Sequence, residues 1–293
     1  MTDVLVRVAD PMALASDTPA EIRFAQGGSG ANTAAWLGSL GSPVLFVGCV
    51  GDDAAGREAG AALRACGVEP RLSVTPDRAT GTCVVLVAAD GERTMLPDPG
   101  ANSGLSPADL PGDAFVPGGH LHVSGYSLIN PGSRAAALDA LSRASAAGMG
   151  TSLDCASAAP LMRMGGLAFL GLTSEVETVL VTLDEAEVLC GTREPQRVLE
   201  HLITPYHEVV LKLGPEGAMF RSRVHPSIRV PAAVPAGPVV GTAGAGDAFA
   251  GGWLAARRSG GDPHAALVAA CNCAARAVTS PGARPPPRVA ASA

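Results

Sequence analysis

Two glycine-rich stretches, about 200 residues apart, carry the side chains best suited to chemistry. In Gly241-Thr-Ala-Gly-Ala-Gly-Asp247, small residues lead into an Ala/Leu-rich run that reads as a helix. At such a junction the first backbone N–H groups have no intrahelical partner and converge on one point, where the helix dipole adds partial positive charge. That nest suits an anion, above all the charge that builds on a phosphoryl group in transfer. Asp247, in the first turn, stands where a base takes the proton of an attacking hydroxyl. The same pattern also fits a plain turn whose aspartate serves the helix dipole, and local sequence leaves both readings open.

The second stretch, Gln26-Gly-Gly-Ser-Gly-Ala-Asn32, also opens a helix. Its glycines permit close backbone approach, and Asn32 offers donors and an acceptor to hydroxyl groups. Gly28-Ser-Gly-Ala-Asn-Thr33 is a poor dinucleotide fingerprint, because Thr33 stands where the third glycine belongs. A Walker-A loop is missing too: Lys212, the single lysine, precedes Leu-Gly instead of following a glycine-rich run.

The elements that must position these residues alternate along the chain. Apolar runs at 44–50, 84–88, 120–124, 150–154, 178–182, 208–213 and 227–231 read as strands. Helical patterns fall at 31–40, 56–66, 133–147, 184–189, 194–202, 244–259 and 263–278. Strands without polar alternation imply a parallel sheet covered on both faces, hence an open α/β sandwich. Two other pieces, Val4–Val8 with Glu21–Ala25 and a hairpin about Asp90-Gly91, predict a small antiparallel sheet beside the main one. The Pro/Gly-rich segments 97–119 and 281–293 read as a connecting loop and a tail. The opening Met1-Thr2-Asp3 lacks the buried strand with which a doubly wound sheet starts. The expectation is that this strand is absent, or that Met1 is an internal start of a longer protein.

Composition narrows the classes. The chain has 293 residues, 16% charged and 47% hydrophobic, with a formal net charge of −6. An acidic chain with scattered arginines lacks the cation cluster that a nucleic-acid surface needs. No run reaches the roughly 18 apolar residues of a membrane helix, and no leader pattern opens the chain. Seven widely spaced cysteines, without CxxC or zinc-site spacing, read as buried thiols of a cytoplasmic protein. His120 and His122 read as packing or rim residues, and Asp154 as a residue at a strand end near the site.

Taken together, the two glycine clusters resemble the signatures of the PfkB/ribokinase family of sugar and nucleoside kinases. Gly27–Asn32 continuing through Gly48-Cys-Val-Gly-Asp-Asp53 and Gly56 is similar to the first signature, and Gly241–Gly252 (GTAGAGDAFAGG) to the second. The resemblance covers nearly the whole chain. It implies one ribokinase-like domain over 1–293, a three-layer α/β/α sandwich with a β-sheet lid drawn from about 3–26 and 80–97. It further implies an ATP-dependent phosphotransferase acting on a hydroxyl of a small sugar or sugar-like substrate, with Mg²⁺.

Carried over residue by residue, the resemblance makes Asp247 the base and Gly244, Ala245 and Gly246 the anion hole. Asp3, Gly28, Ser29 and Asn32 become substrate contacts. Thr182, Lys212, Gly214, Gly217 and Asn272 fall at nucleotide positions, and Glu185 at a position linked to magnesium. Four features depart from the pattern. Gly241 replaces an aspartate associated with monovalent-cation binding, which makes potassium activation doubtful. Ser29 stands where ribokinases have lysine, Leu121–Tyr126 lacks their glutamate, and Thr182 replaces an asparagine. A nucleoside kinase and a non-catalytic sugar or nucleotide binder are the competing readings. The lid implies a possible homodimer, and no nucleic-acid or membrane partner is expected.

Overall fold

The structure, a computed structural model, describes residues 1–8, 12–13, 15–87, 93–280 and 282–285. In chain order its elements begin with β1 (Thr2–Val8), β2 (Ala20–Gln26), α1 (Ser29–Ser39), β3 (Leu45–Gly51), α2 (Ala54–Ala65), β4 (Glu69–Thr75), β5 (Thr80–Val87) and β6 (Arg93–Gly100). After three short 3₁₀ turns come β7 (His120–Ser124), α3 (Gly125–Ile129), α4 (Arg134–Ala146), β8 (Gly150–Asp154), α5 (Ala158–Met164), α6 (Gly166–Leu172) and β9 (Thr178–Thr182). The chain continues through α7 (Leu183–Cys190), α8 (Pro195–Leu202), β10 (Glu208–Lys212), β11 (Ala218–Ser222), β12 (Ile228–Val230), α9 (Ala245–Arg258) and α10 (Pro263–Ala277).

The main sheet runs β12-β11-β10-β9-β8-β7, parallel from β7 to β10 and antiparallel at β11 and β12. Its central strands are apolar at successive positions because both faces are covered. On β9, Val179 and Val181 point to one face and Leu180 to the other; on β10, Val209 and Leu211 oppose Val210. The first face packs on Leu128, Leu141, Leu161, Phe169 and Leu199 of the intervening helices. The second packs on Phe249 and Trp253 of α9 and Leu267 of α10. Each large apolar side chain so buried contributes about 1.5–3 kcal/mol. Helix–sheet–helix layering is the architecture expected from the sequence.

A separate parallel pair, β3 with β4, lies where α1 touches both β3 and β7. Strand β4 escaped the sequence reading because Glu69, Arg71 and Ser73 interrupt its apolar residues. The first signature's aspartate is structural here. Asp53 caps α2 through Gly56 N (2.7 Å) and also binds Thr80 N (2.7 Å) and Thr80 Oγ1 (2.6 Å), tying α2 to β5.

The second sheet has the order β2-β1-β5-β6. Its outer pairs are antiparallel as expected, but β1 and β5 run parallel, since the chain passes through α1, β3, α2 and β4 between them. Segment 97–100, read as loop, extends β6. Its prolines are tolerated because β6 is an edge strand whose missing N–H groups break no internal ladder. The Asp90-Gly91 turn lies outside the described residues. Of the segment read as a tail, residues 282–285 are packed in place, with Ala283 buried and its carbonyl accepting from Trp36 Nε1 at 3.1 Å; positions 281 and 286–293 lie outside the described residues.

Candidate active site

Helices α1 and α9 bring the two glycine clusters together. Asn32 Nδ2 donates to Asp247 Oδ2 at 2.9 Å across 215 residues of sequence. Both helices begin without a side-chain cap, at Gly28 (φ 91°) and Gly244 (φ 75°). Ala245 N–H closes a turn onto Thr242 O at 3.2 Å. Gly244 must be glycine twice over: its φ is positive, and a Cβ there would lie 2.5 Å from Ala283 Cα.

Asp247 is enclosed by both helices and by β8 and β10. Burial pushes its carboxyl up from 3.8 to about 6, and the nearby Asp154 carboxylate adds to this, while hydrogen bonds from Asn32 and Ser29 favour the charged form. A carboxylate poised near 6 is suited to accepting a proton close to neutral pH.

Beneath it lies a buried ionic group at the strand ends. Lys212 Nζ meets Asp154 Oδ2 at 2.6 Å, the two side chains being 10% and 8% exposed. Burial alone would depress the lysine, but Asp154 and Glu185 together outweigh it and hold the ammonium above its ordinary value. The sequence left Lys212 between phosphate and solvent; it is buried, with Nζ 3.6 Å from where a Cβ on Gly246 would sit. Thr182 and Glu185 form a reciprocal cap on α7, Glu185 Oε2 accepting from Thr182 N at 2.8 Å and Thr182 Oγ1 from Glu185 N at 3.3 Å. Glu185 is buried, which raises its carboxyl above the ordinary range against the pull of Lys212. Asp154, Thr182 and Lys212 all end parallel strands, the edge where open α/β sheets bind ligands.

Asp3 enters from β1 in the second sheet. It packs on Gly27, where a Cβ would fall 2.0 Å from Asp3 Oδ1, and burial raises its carboxyl. Other sequence-predicted positions are not part of this cluster. Gly214 and Gly217 shape the β10–β11 turn, and Gly217 owes its identity to β12, since a Cβ there would lie 2.1 Å from Val230 O. Asn272 is exposed on α10, between the buried Cys271 and Cys273. His120 and His122 both bond Ser152 Oγ at 2.8 Å, and burial lowers each to about 4; both are packing residues. A cavity of about 480 Å³ borders His120, Ser152 and Arg257, with the N-terminal residues of β8, β9 and β10 also lining it.

Two arginines were missed by the sequence reading. Arg93 of β6 lies against Gly241 so closely that a Cβ there would be 1.7 Å from Nη2. Arg284, in the supposed tail, donates from Nε to Asn32 Oδ1 (3.1 Å) and from Nη2 to Gly27 O (2.9 Å). Neither lies in a motif; the signal was only an arginine near a glycine.

The three-layer sandwich, with a small-residue helix start and a carboxylate in its first turn at the ends of the parallel strands, is a ribokinase-like fold. The profile of the pfkB family carbohydrate kinases matches residues 4–289, and the chain belongs to that family. It is 31% identical over 277 residues to the aminoimidazole riboside kinase of Salmonella typhimurium, covering 88% of this chain and 83% of that one. The crystal structure of adenosine kinase from Sinorhizobium meliloti superposes with a TM-score of 0.89 at 28% identity, covering 97% of this chain and 93% of the other. An E. coli structure described as a candidate ribokinase II, in complex with ATP and Mg²⁺, gives a TM-score of 0.80 at 26% identity, with 96% and 92% covered. The chain is an ATP-dependent carbohydrate kinase in this sense of family. None of the described helices is long and apolar enough to cross a membrane.

Proposed function

We propose that the protein transfers the γ-phosphoryl group of ATP to a hydroxyl of a small sugar or sugar-like substrate, with Asp247 as the base. The contact that carries this reading is Asn32–Asp247, which joins a hydroxyl-binding side chain to a carboxylate at an uncapped helix start. Asn32, Ser29, Gly28 and Asp3 orient the acceptor from α1 and β1. Asp247 takes the proton of the attacking hydroxyl, while the N–H groups of Gly244 and Gly246 receive the charge on the phosphoryl oxygens. Ala245 shapes this anion hole through its bond to Thr242. Lys212, held by Asp154, adds a fixed positive charge beside Gly246.

The residues at the strand ends fit a nucleotide bound with Mg²⁺: a cation, an uncapped helix start and a buried carboxylate share one edge. Mg²⁺ would neutralise phosphate charge there. Glu185 is the side chain we assign to it or its waters, and Thr182, Lys212, Gly214, Gly217 and Asn272 are the nucleotide-side positions. The four-stranded sheet serves as a lid over the acceptor within a single domain of 1–293, excluding water when closed. Its apolar face, with Phe24, Val4, Val84 and Leu96 in one cross-strand row, is where a second copy would pair. Seven unpaired thiols, six of them buried, support a cytoplasmic location.

Release of ADP from Mg·ATP across a panel of sugars and nucleosides, with Asp247→Asn in parallel, tests the proposal. Turnover that survives Asp247→Asn overturns the role of the base. A nucleoside acceptor is the second reading, favoured by the similarity to an adenosine kinase and a riboside kinase; preference for nucleosides over free sugars in the same panel would establish it.

A further inference from the structure

We infer that Arg284 is a positioning residue for the base: its guanidinium fixes the Asn32 amide so that Nδ2, and not Oδ1, faces Asp247. The inference rests on the reading of Asp247 as base. An asparagine amide has two nearly isosteric ends, one accepting and one donating. Arginine carries donors only, so the atom it bonds must be Oδ1, and the opposite end must then be a donor. Arg284 holds this arrangement with two separate prongs, Nε on Asn32 Oδ1 and Nη2 on Gly27 O, so its planar fork cannot rotate away. The fork is itself anchored: neighbouring Ala283 bonds Trp36 and closes against Gly244.

The consequence falls on Asp247. With Nδ2 donating to Oδ2, the ionised form of Asp247 is favoured. Without Arg284 the amide is free to turn, and Oδ1 of Asn32 then repels the carboxylate it had supported. The other groups facing Asp247 are Ser29 from α1, Asp154 from β8, Lys212 from β10 and Tyr126 from α3. None of them sets the orientation of the Asn32 amide.

The test is the pH profile of kcat/KM for the best acceptor in the sugar and nucleoside panel. Arg284→Gln is expected to move the acid limb upward by about half a pH unit or more and to lower kcat about tenfold. Arg284→Lys, which keeps the charge and several donors, is expected to hold the limb at the wild-type position. In an Asn32→Ala background, Arg284→Gln should move the limb clearly less, because the path through Asn32 is already broken and only the direct charge of Arg284 on Asp247 is left to lose. A limb unmoved in Arg284→Gln, or moved equally with and without Asn32, overturns the inference; a merely structural arginine lowers the melting temperature without moving the limb.

If Arg284→Gln does not fold, the wild-type enzyme carries the test by nitrogen-15 NMR of labelled arginine, with no acceptor present. The Arg284 Nε–H resonance should shift with the titration of Asp247 and lose that shift in Asp247→Asn; a pH-independent resonance overturns the inference. Failure of the underlying reading looks different. There, Asp247→Asn itself retains turnover, whatever Arg284 does.

Discussion

Asp247→Asn is expected to make the protein both slower and more stable, and the two effects have one cause. The carboxyl titrates at 3.8 when unperturbed and at about 6 in the fold, so ionising it works against folding. Raising the value that far corresponds to about 3 kcal/mol, which the solvent-facing edge of the side chain reduces to about 1–3 kcal/mol. The sign follows from the direction of the shift. Because the folded value is the higher one, the contribution of wild-type Asp247 is fully present below pH 3.8 and is lost as pH rises through about 6. Asparagine does not titrate and still accepts from Asn32. The variant should therefore match the wild type in acid, pull ahead between these two values, and keep a constant lead above them. For a chain of this size that lead is about 2–6 °C in melting temperature at about pH 8. Turnover, read in the same buffers as ADP release, should fall about 10²–10⁴-fold. Calorimetric melts from acid to alkaline pH, run beside the rate assay, decide the matter. A stability difference that does not change with pH refutes the pKa argument, and unchanged turnover refutes the assignment of the base.

Three other outcomes are expected. Turnover should be the same in potassium as in a bulky monovalent cation, since Arg93 fills the space beside Gly241; activation by potassium in rate assays contradicts this. Lys212→Met leaves Asp154 buried without its cation and should cost about 3–5 kcal/mol in urea unfolding, whereas a loss below about 1 kcal/mol would mean that the pair is solvated. Phe24→Arg, at a side chain 76% exposed on the four-stranded sheet, should leave folding intact and shift sedimentation to a monomer if that sheet pairs two copies; an unchanged oligomer places the interface elsewhere.

Much of the main sheet was legible because buried parallel strands announce themselves as unbroken apolar runs: 120–124, 150–154 and 178–182 are strands at the positions read. Elements whose side chains are half exposed were harder. Strand β4 alternates with charged residues, α5 and α6 are each only seven residues long, and Pro97 and Pro99 disguised the end of β6. Within the candidate site, glycine clustering exposed both helix starts, since a bare helix N-terminus leaves a local trace in the chain. The contact joining them left none, and neither did the Lys212–Asp154 pair, 58 residues apart. Arg284 was the hardest, because its partners lie 252 and 257 residues away and its immediate neighbours, Ala283 and Pro285, carry no motif. Such residues are defined by topology, and only three-dimensional closure reveals them.

That closure has a consequence for how the protein is made. The amide that supports Asp247 is itself held by a residue 252 positions later in the chain. A ribosome adding 5–20 residues per second takes roughly 13–50 s to travel from one to the other. Throughout that interval the nascent chain carries an unfinished site, with α1 complete and nothing to hold its asparagine. Contacts of such long sequence separation are also the slow ones to form. The full rate should therefore be reached only after Arg284 has been synthesised and has docked on Asn32, well after α1 itself has formed.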